Sequence, residues 1–414
     1  MTNSGAEEIV FDIEIVVRRA SILYEQGHLE AARQVILDVV KVRPNHVEAL
    51  VTFANILREM GYFKEALAPL ERAINHKPDH IRARAALALT YFYQEDWARA
   101  WRAFDIRFDL LGHKPFVNFP ENGGAMVQRP PWREGAAPPS ILVLAEQGLG
   151  DTIQFVRFLP FLADAGSNVT CLIQEPLIPF VQTVDDRITF LPLGHSGRVQ
   201  GVSAWTPIMH LPQALKIGPD AFARRIPYLR AESEAVNRRR AQIGTDEFKV
   251  GLVWRGNPDP RIDRGRSAPL SAFRALADIP GIRLISLQKG KGEEEAFSVE
   301  FAERVETPAA DIDLATDGFR ETAAIIECLD LVVTVDTSVA HVAGALGKPV
   351  IILLKRIGSD WRWLYGRNDS IWYPTVQLFR QSMPDAWEEL LNRVAVEVTK
   401  RAAEYKKSFT RLGN

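Results

Sequence analysis

The segment from Asp336 to His341 holds the side chains best suited to binding an anionic ligand. It follows Leu331–Val335, a run of branched residues that predicts a buried strand, and it opens a helix that ends at Gly347. The start of a helix has unpaired backbone N–H groups and the positive end of the helix dipole, so it can bind phosphate. We therefore predict ligand contacts from Asp336, Thr337, Ser338 and His341, although a lone helical histidine is more often structural.

Basic residues follow two other predicted strands. The loop after Lys249–Trp254 has four arginines in twelve residues, at positions 255, 261, 264 and 266. Such a loop suits a diphosphate, because guanidinium groups pair with phosphate oxygens in a bidentate manner; the alternative is a solvated surface loop. The next strand, Arg283–Leu287, ends at another cation, Lys289. The residues predicted to bind the ligand in these two loops are Arg255, Asn257, Arg266, Gln288 and Lys289.

A candidate general base precedes these motifs in the chain. Ile141–Ala145 predicts a buried strand, and a glycine-bearing turn after it leads to Asp151 at the start of a helix. Asp151 could cap that helix or act as a base at the carboxyl end of the sheet; its position alone favours neither. A dinucleotide site is rejected, because its third glycine is replaced by Ile153. The predicted acceptor-side residues are Gln147, Gly148, Gly150 and Gln154.

The elements around these motifs predict two Rossmann-like lobes. Residues 141–230 form the first lobe and residues 231–384 the second, and residues 385–414 form a closing helix. A proline- and glycine-rich stretch at 113–140 reads as a linker or crossing loop. The aromatic tail around Trp361 and Trp372 is interpreted mainly as packing.

Residues 1–112 show a repeat with a period of 34. Gly27, Ala32, Val39 and Pro44 recur as Gly61, Ala66, Ala73 and Pro78, and a third copy is eroded, with Glu95 at its glycine position. The period is typical of tetratricopeptide repeats, in which each helix pair must stack on its neighbours to bury its apolar face. We predict an all-α solenoid that either recruits a peptide or acceptor, or serves only as a structural module.

Composition limits the number of domains and the classes of partner that the chain can have. With 414 residues and a net charge of −2, the chain fits two or three globular domains without a global preference for nucleic acid. No apolar stretch is long enough to span a membrane, and the polar, acidic N-terminus lacks the features of a signal peptide. Cys171 and Cys328 both lie in apolar segments, so we expect buried thiols and a cytoplasmic location.

The motifs of the α/β region resemble those of the heptosyltransferase superfamily of GT-B glycosyltransferases, especially its bacterial relatives fused to tetratricopeptide repeats. The resemblance covers residue 141 to the C-terminus. It rests on three motifs, Gly150–Thr152, Ser286–Gly290 and Asp336–Pro349, of which the last is the most specific. The runs Glu146–Gln154 and Asp360–Trp363 are similar to the repeat-fused group.

The resemblance implies a transferase that moves a sugar from a nucleotide-diphosphate sugar to a hydroxyl of a protein or glycan, with inversion. It implies that Asp151 is the general base and that the segment from Asp336 binds the donor. No equivalent of the heptose-selecting residues is found, which leaves the donor sugar and base open. We expect no metal or other cofactor, because fixed cations and the helix dipole can replace a metal. The alternatives are a non-catalytic scaffold and a nucleotide-sugar epimerase.

Overall fold

The computed structural model describes residues 12–110, 117–120, 126–129, 131–194, 201–259, 263, 265–307 and 319–412. The chain divides into two compact units. Residues 1–114 and 357–366 form the first unit, and residues 115–356 and 367–414 form the second. Several residues of the predicted basic loop and linker lie outside the described residues, namely Arg261, Arg264, Pro115, Gly123, Gly124 and Pro130.

Three helix pairs form most of the first unit and confirm the predicted tetratricopeptide-type repeats. The first helices of the pairs are each 13 residues long and begin 34 residues apart: α1 (Ile13–Glu25), α3 (Val47–Glu59) and α5 (Ile81–Tyr93). Their partners are α2 (Leu29–Val42), α4 (Leu67–His76) and α6 (Trp97–Ala103), and α7 (Ile106–Leu110) follows.

The turn between the two helices of each pair keeps the same backbone conformation in all three copies, including the eroded one. Gly27 and Gly61 have φ angles of 80° and 86°, a region that glycine enters without strain. Glu95 adopts φ 57° at the equivalent position, at a cost of about 1–2 kcal/mol for a residue with a Cβ. Aromatic packing in this copy offsets that cost, since Phe92 meets Trp101 edge-on with ring centroids 4.9 Å apart.

A ten-residue segment from later in the chain completes the first unit. We call residues 357–366, between the last two strands of the chain, the strap. Trp361 stacks on Phe92 at 4.0 Å and is almost fully buried. The Glu59 carboxylate accepts hydrogen bonds from the Gly358 N–H and the Tyr365 hydroxyl. Truncating a buried tryptophan costs about 3–5 kcal/mol, so Trp361 is a main stabilising contact of the third repeat.

The sequence-based boundaries assign residues 231–384 to one lobe. The strap lies within this range but belongs to the first unit. Nothing in the local pattern distinguishes Trp361 from the neighbouring aromatic Trp363, and both are buried. No fourth repeat follows the third among the described residues, and Trp361 packs on Phe92 of the third repeat instead.

The second unit contains two parallel sheets. The first sheet has the order β5-β4-β3-β6. Its strands are β3 (Ser140–Leu144), β4 (Asn168–Ile173), β5 (Ile188–Pro192) and β6 (Ala204–Pro207). The helices between these strands are α8 (Leu149–Phe155), α9 (Leu159–Asp164) and α10 (Ile178–Val181), and α11 (Leu211–Ala214) follows β6.

The second sheet has the order β12-β11-β10-β7-β8-β9. Its strands are β7 (Phe248–Val253), β8 (Ile282–Ser286), β9 (Val305–Glu306), β10 (Leu331–Val335), β11 (Val350–Leu354) and β12 (Val376–Arg380). The helices are α12 (Ser233–Ile243), α13 (Arg274–Ala277), α14 (Glu295–Ser298), α15 (Arg320–Glu327), α16 (Ser338–Ala345) and α17 (Trp387–Leu412). Helix α17 buries Leu391 and Val394 against the core of this sheet.

Two local features differ from the sequence-based expectations. The described parts of the predicted linker form an antiparallel hairpin, β1 (Val117–Pro120) with β2 (Met126–Arg129). The apolar run 207–211 predicts a short strand from its sequence, but β6 ends at Pro207 and a helical turn, Ile208–His210, follows. Within the described residues, none of the helices is both long and apolar enough to cross a membrane.

Candidate functional site

The order of the strands locates the expected ligand crevices. In an open parallel sheet, ligands bind beyond the carboxyl ends of the strands where the direction of chain progression reverses. The first sheet reverses between β3 and β6, and the second reverses between β7 and β10. We call the loops after β3 and β6 the first-sheet edge, and the loops after β7, β8 and β10 the second-sheet edge. The predicted site residues are on these loops and on the helices that follow them.

Asp151 lies at the first-sheet edge, in the first turn of α8. Its carboxylate oxygen Oδ2 accepts a hydrogen bond of 2.8 Å from the Gly148 N–H, which is one half of a capping box. Asp151 therefore caps the helix, and it remains half-buried at the carboxyl end of β3. The two roles weighed from the sequence are compatible, because capping orients the carboxylate.

The residues around Asp151 form a braced turn. Gln147 is exposed and takes φ 62°, and its carbonyl accepts a hydrogen bond from the Gln174 amide at the end of β4. Gln174 also accepts a hydrogen bond of 2.8 Å from Thr152. Gln154, predicted on the acceptor side, is fully buried. The edge therefore exposes Gln147 and Gly148, while Gln154 lies within the packed interior.

Two further polar residues lie at this edge, and the sequence analysis did not select them. Glu146 follows β3 and its Oε1 accepts a hydrogen bond of 3.1 Å from the Met209 N–H, which joins the ends of β3 and β6. His210, in the helical turn after β6, is buried. In the sequence, each of these ionisable residues comes just after a strand. That position suggests a shared site only when β3 and β6 are known to be neighbours.

In the described part of the basic loop after β7, two arginines pack against neighbouring residues. Arg255 pairs with Glu295 of α14, so its charge is balanced. Arg266 lies across Gly256, where an added Cβ would be 2.5 Å from its Nη2 atom. Within the described residues Arg266 has no ion pair, and its buried Nε–H has no hydrogen-bond partner. Asn257 is exposed and accepts the Asp259 N–H at 3.0 Å.

The loop after β8 carries a structural residue, Gln288, and an accessible cation, Lys289. Gln288 is buried, and its Oε1 accepts the N–H groups of Trp254 and Arg255 at 3.2 and 2.9 Å. Its amide group donates to the carbonyls of Lys289 and Lys291. Gln288 thus joins the ends of β7 and β8. The Lys289 side chain is exposed, and no ion pair forms to it within the described part of the chain.

The loop after β10 opens α16 as expected. Thr337 is the N-cap residue, but its hydroxyl lies 3.0 Å from the Thr334 hydroxyl and makes no capping hydrogen bond to the helix. The N–H groups of the first turn therefore have no side-chain cap. Asp336 and Ser338 are half-buried beside it. His341 is buried in the first turn, with Nδ1 2.8 Å from the Tyr373 hydroxyl.

The two edges meet at Gly150 and His341. A Cβ added at Gly150 would lie 2.8 Å from His341 Cδ2 and 3.4 Å from the Ser338 Cα. Only glycine allows this approach, so Gly150 brings the start of α8 against the start of α16. As a result, Asp151, the next residue after Gly150, is beside the helix start predicted to bind phosphate.

The thiols take no part in this arrangement. Burial raises the pKa of Cys171 and of Cys328, which keeps both thiols protonated and unreactive near neutral pH. Both are free and buried, as expected from the apolar segments in which they lie. Among the described side chains, no three His, Cys, Asp or Glu residues group as metal ligands.

Comparison with known proteins finds a family match within the second sheet. Residues 269–356, from the end of the basic loop through α16 and β11, match the model of glycosyltransferase family 9 (heptosyltransferase). This part of the chain is similar to the heptosyltransferases. The resemblance predicted from the motifs is confirmed, and the match includes Gln288, Lys289 and the segment Asp336–His341.

Longer similarities extend beyond this segment. The chain is 27% identical to Protein FlbA of Caulobacter vibrioides over 284 residues, which is 64% of this chain and 47% of FlbA. The chain thus spans about half the length of that curated relative. The ADP-heptose LPS heptosyltransferase II of E. coli covers 64% of this chain and 99% of its own, at 13% identity and a TM-score of 0.46. The tetratricopeptide protein YrrB covers 24% of this chain and 52% of its own, at 22% identity and a TM-score of 0.23.

Proposed function

We propose that the second unit is a two-lobed GT-B glycosyltransferase of hexosyl- or heptosyltransferase type. It transfers a sugar from a nucleotide-diphosphate sugar to a hydroxyl of a protein or cell-surface glycan. The observation that carries the proposal is the meeting of the two edges at Gly150 and His341, which sets a carboxylate beside an uncapped helix start. The family 9 match supports a glycosyltransferase.

The donor diphosphate binds at the second-sheet edge. Arg266 has a buried Nε–H without a partner in the described residues, and a phosphate oxygen would satisfy it. Lys289 adds a mobile charge, and the N–H groups after Thr337 add the helix dipole. Arg255 contributes less, because Glu295 already neutralises it. No metal or other cofactor is required in this proposal, since these fixed charges stabilise the leaving group.

Transfer follows as a single displacement. The acceptor hydroxyl loses its proton to the Asp151 carboxylate while its oxygen bonds to the anomeric carbon. The bond from that carbon to the diphosphate oxygen breaks, and the nucleoside diphosphate leaves with the electron pair. One displacement inverts the configuration at the anomeric carbon.

The helical repeats recruit the acceptor. The strap covers the ends of the first helices of the second and third repeats, so a partner must use another surface of the first unit. Among the described residues, helix α1 has one such exposed face, with Ile15 and Ile22 exposed by 64% and 48% and with Arg18 and Arg19 between them. This face suits an amphipathic acidic segment. Reversing both charges (Arg18→Glu, Arg19→Glu) is expected to raise KM for a protein acceptor and leave nucleotide affinity unchanged; an unchanged KM would contradict recruitment by α1.

Calorimetry with UDP, GDP, ADP and CDP tests the proposal first, because a transferase must bind one of them. Binding without transfer to any hydroxyl acceptor would favour a scaffold, and interconversion of the donor sugar without transfer would favour an epimerase. The second test is Asp151→Asn. An amide oxygen can still accept the Gly148 N–H, so this variant removes the base while retaining the cap. Undiminished transfer by the variant would eliminate Asp151 as the base.

A further inference from the structure

A buried chain of polar side chains leads from the first sheet to His341. It begins at Arg157, which is almost fully buried after α8. The guanidinium donates to the carbonyls of Gln154, Phe222 and Trp372 at 2.7, 2.8 and 2.7 Å. Trp372 directly precedes Tyr373, the partner of His341. Arg157 therefore holds the backbone that carries Tyr373.

Arg157 has no carboxylate partner in the described structure. Its charge is offset by the three carbonyls and by the rings of Tyr228 and Tyr373, whose centroids lie 4.5 and 4.4 Å from the guanidinium carbon. A buried cation held only by neutral groups is costly, because desolvation is not repaid by an ion pair. Fold stability alone does not account for such a residue, whereas precise placement of Tyr373 would.

The lengths of the hydrogen bonds in this chain favour one direction of donation. The Tyr228 hydroxyl donates to the Ile153 carbonyl at 2.9 Å and accepts from Arg157 Nη2 at 3.0 Å. The Tyr373 hydroxyl lies 3.5 Å from Tyr228 but only 2.8 Å from His341 Nδ1. The guanidinium over its ring strengthens Tyr373 as a donor. The shorter contact favours donation of the Tyr373 proton to Nδ1, an arrangement in which the imidazole carries its own proton on Nε2.

Two glycines fix the geometry of this contact. A Cβ at Gly344 would lie 2.5 Å from Tyr373 Cδ1, so only glycine lets the Tyr373 ring pack against α16 and reach His341 one turn away. At the other side of the imidazole, the Cδ2–Nε2 edge faces Gly150. The protonated nitrogen is thus directed to the place where the two edges meet.

We propose that Tyr373 is a positioning residue that holds His341 as the neutral Nε2–H tautomer, so that the imidazole donates a hydrogen bond to a phosphate oxygen of a nucleoside diphosphate. Arg157 and Gly344 hold Tyr373 in place for this task. The identity of the ligand rests on the proposed function, whereas the tautomer does not.

The tautomer is measured by long-range ¹H–¹⁵N correlation on deuterated protein with labelled histidine, with His341 assigned from the signal lost in His341→Gln. We expect a protonated Nε2 and a bare Nδ1. In Tyr373→Phe and in Gly344→Ala this pattern should give way to mixed tautomers. Tyr405→Phe is the matched control, since it removes a tyrosine hydroxyl that donates to the Thr245 carbonyl and lies apart from the site. A wild-type Nδ1–H, or a pattern unchanged in Tyr373→Phe, would overturn the proposal.

Nucleotide affinity tests the identity of the ligand independently of the tautomer. Tyr373→Phe should weaken binding of the nucleoside diphosphate that binds the wild-type chain about five- to tenfold, because a mixture of tautomers retains part of the hydrogen bond to the phosphate, while Tyr405→Phe binds normally. Equal affinity in both variants would overturn the role of His341 as a phosphate donor. If the wild-type chain has the Nε2–H tautomer but binds none of the four nucleotides, the proposed function fails and the positioning of His341 by Tyr373 stands.

Discussion

The two sheet edges of the second unit have the same topology and opposite chemistry. The first-sheet edge carries Glu146, Asp151 and His210, which can accept protons. The second-sheet edge carries Arg266, Lys289 and an uncapped helix start, which attract anions. Both edges lie where a parallel sheet reverses, so the fold supplies the crevice and the side chains decide what it does. Under the proposed function, this difference is a division of labour, with acceptor activation at the first edge and donor binding at the second.

The largest expected effect comes from Asp151→Asn. Removing a general base costs about 10²- to 10⁴-fold in rate, so kcat should fall by this factor while nucleotide affinity stays the same. Transfer is followed with any acceptor that the wild-type chain uses, and affinity by calorimetry. A variant that loses nucleotide binding as well would show that the two edges do not have separate roles.

Removing the accessible cations tests the other edge. Arg266→Ala and Lys289→Ala should each weaken nucleoside diphosphate binding about ten- to hundredfold, since a hydrogen bond between charged groups contributes ~1.5–3 kcal/mol. Lys291→Ala is the matched control, because it removes an exposed charge two residues from Lys289. Equal losses in Lys289→Ala and Lys291→Ala would mean that only the local field matters and that Lys289 does not contact the ligand.

Glu146→Gln tests whether a second carboxylate at the first-sheet edge contributes to transfer to the acceptor. The amide oxygen can still accept the Met209 N–H, so the link between β3 and β6 is kept and only the charge is lost. We expect kcat/KM for the acceptor to fall about ten- to hundredfold, the size of one charge-assisted hydrogen bond, with no change in nucleotide affinity. If the variant matches the wild type in acceptor kinetics, Glu146 is structural.

Ionic strength should change KM for the donor and not KM for the acceptor, and this effect is smaller than those of the substitutions above. Salt screens exposed charges, because the Debye length falls from about 10 Å at 0.1 M to about 3 Å at 1 M. KM for the donor should therefore rise about two- to threefold over this range through Lys289, whereas KM for a neutral glycan acceptor should not change. Parallel changes in both constants would contradict the charge asymmetry.

Much of this arrangement could be predicted from local patterns. The 34-residue period predicted the helix pairs, and apolar runs predicted β3, β7 and β10 to within a residue or two. The segment Asp336–His341 was expected at a strand end and opens α16. These features depend on contacts between near neighbours in the chain, which composition and spacing record directly.

Other features depend on pairs of residues far apart in the chain. Gln288 was expected to bind the donor, but its amide is used to join β7 to β8. Glu146 and His210 were overlooked because only the strand order makes β3 and β6 neighbours. The strap joins the first unit through Trp361, although it lies more than 250 residues beyond Phe92.

By itself, the sequence determined the repeats, the strands and the residue types available at each strand end, because these follow from periodicity, capping and branching. Tertiary structure alone decided which of those residues meet. Gly150 faces His341, Arg157 supports Tyr373, and Trp361 covers the third repeat, since each contact depends on how separate elements pack. Packing of this kind is cooperative over the whole unit, so no local stretch of sequence records it.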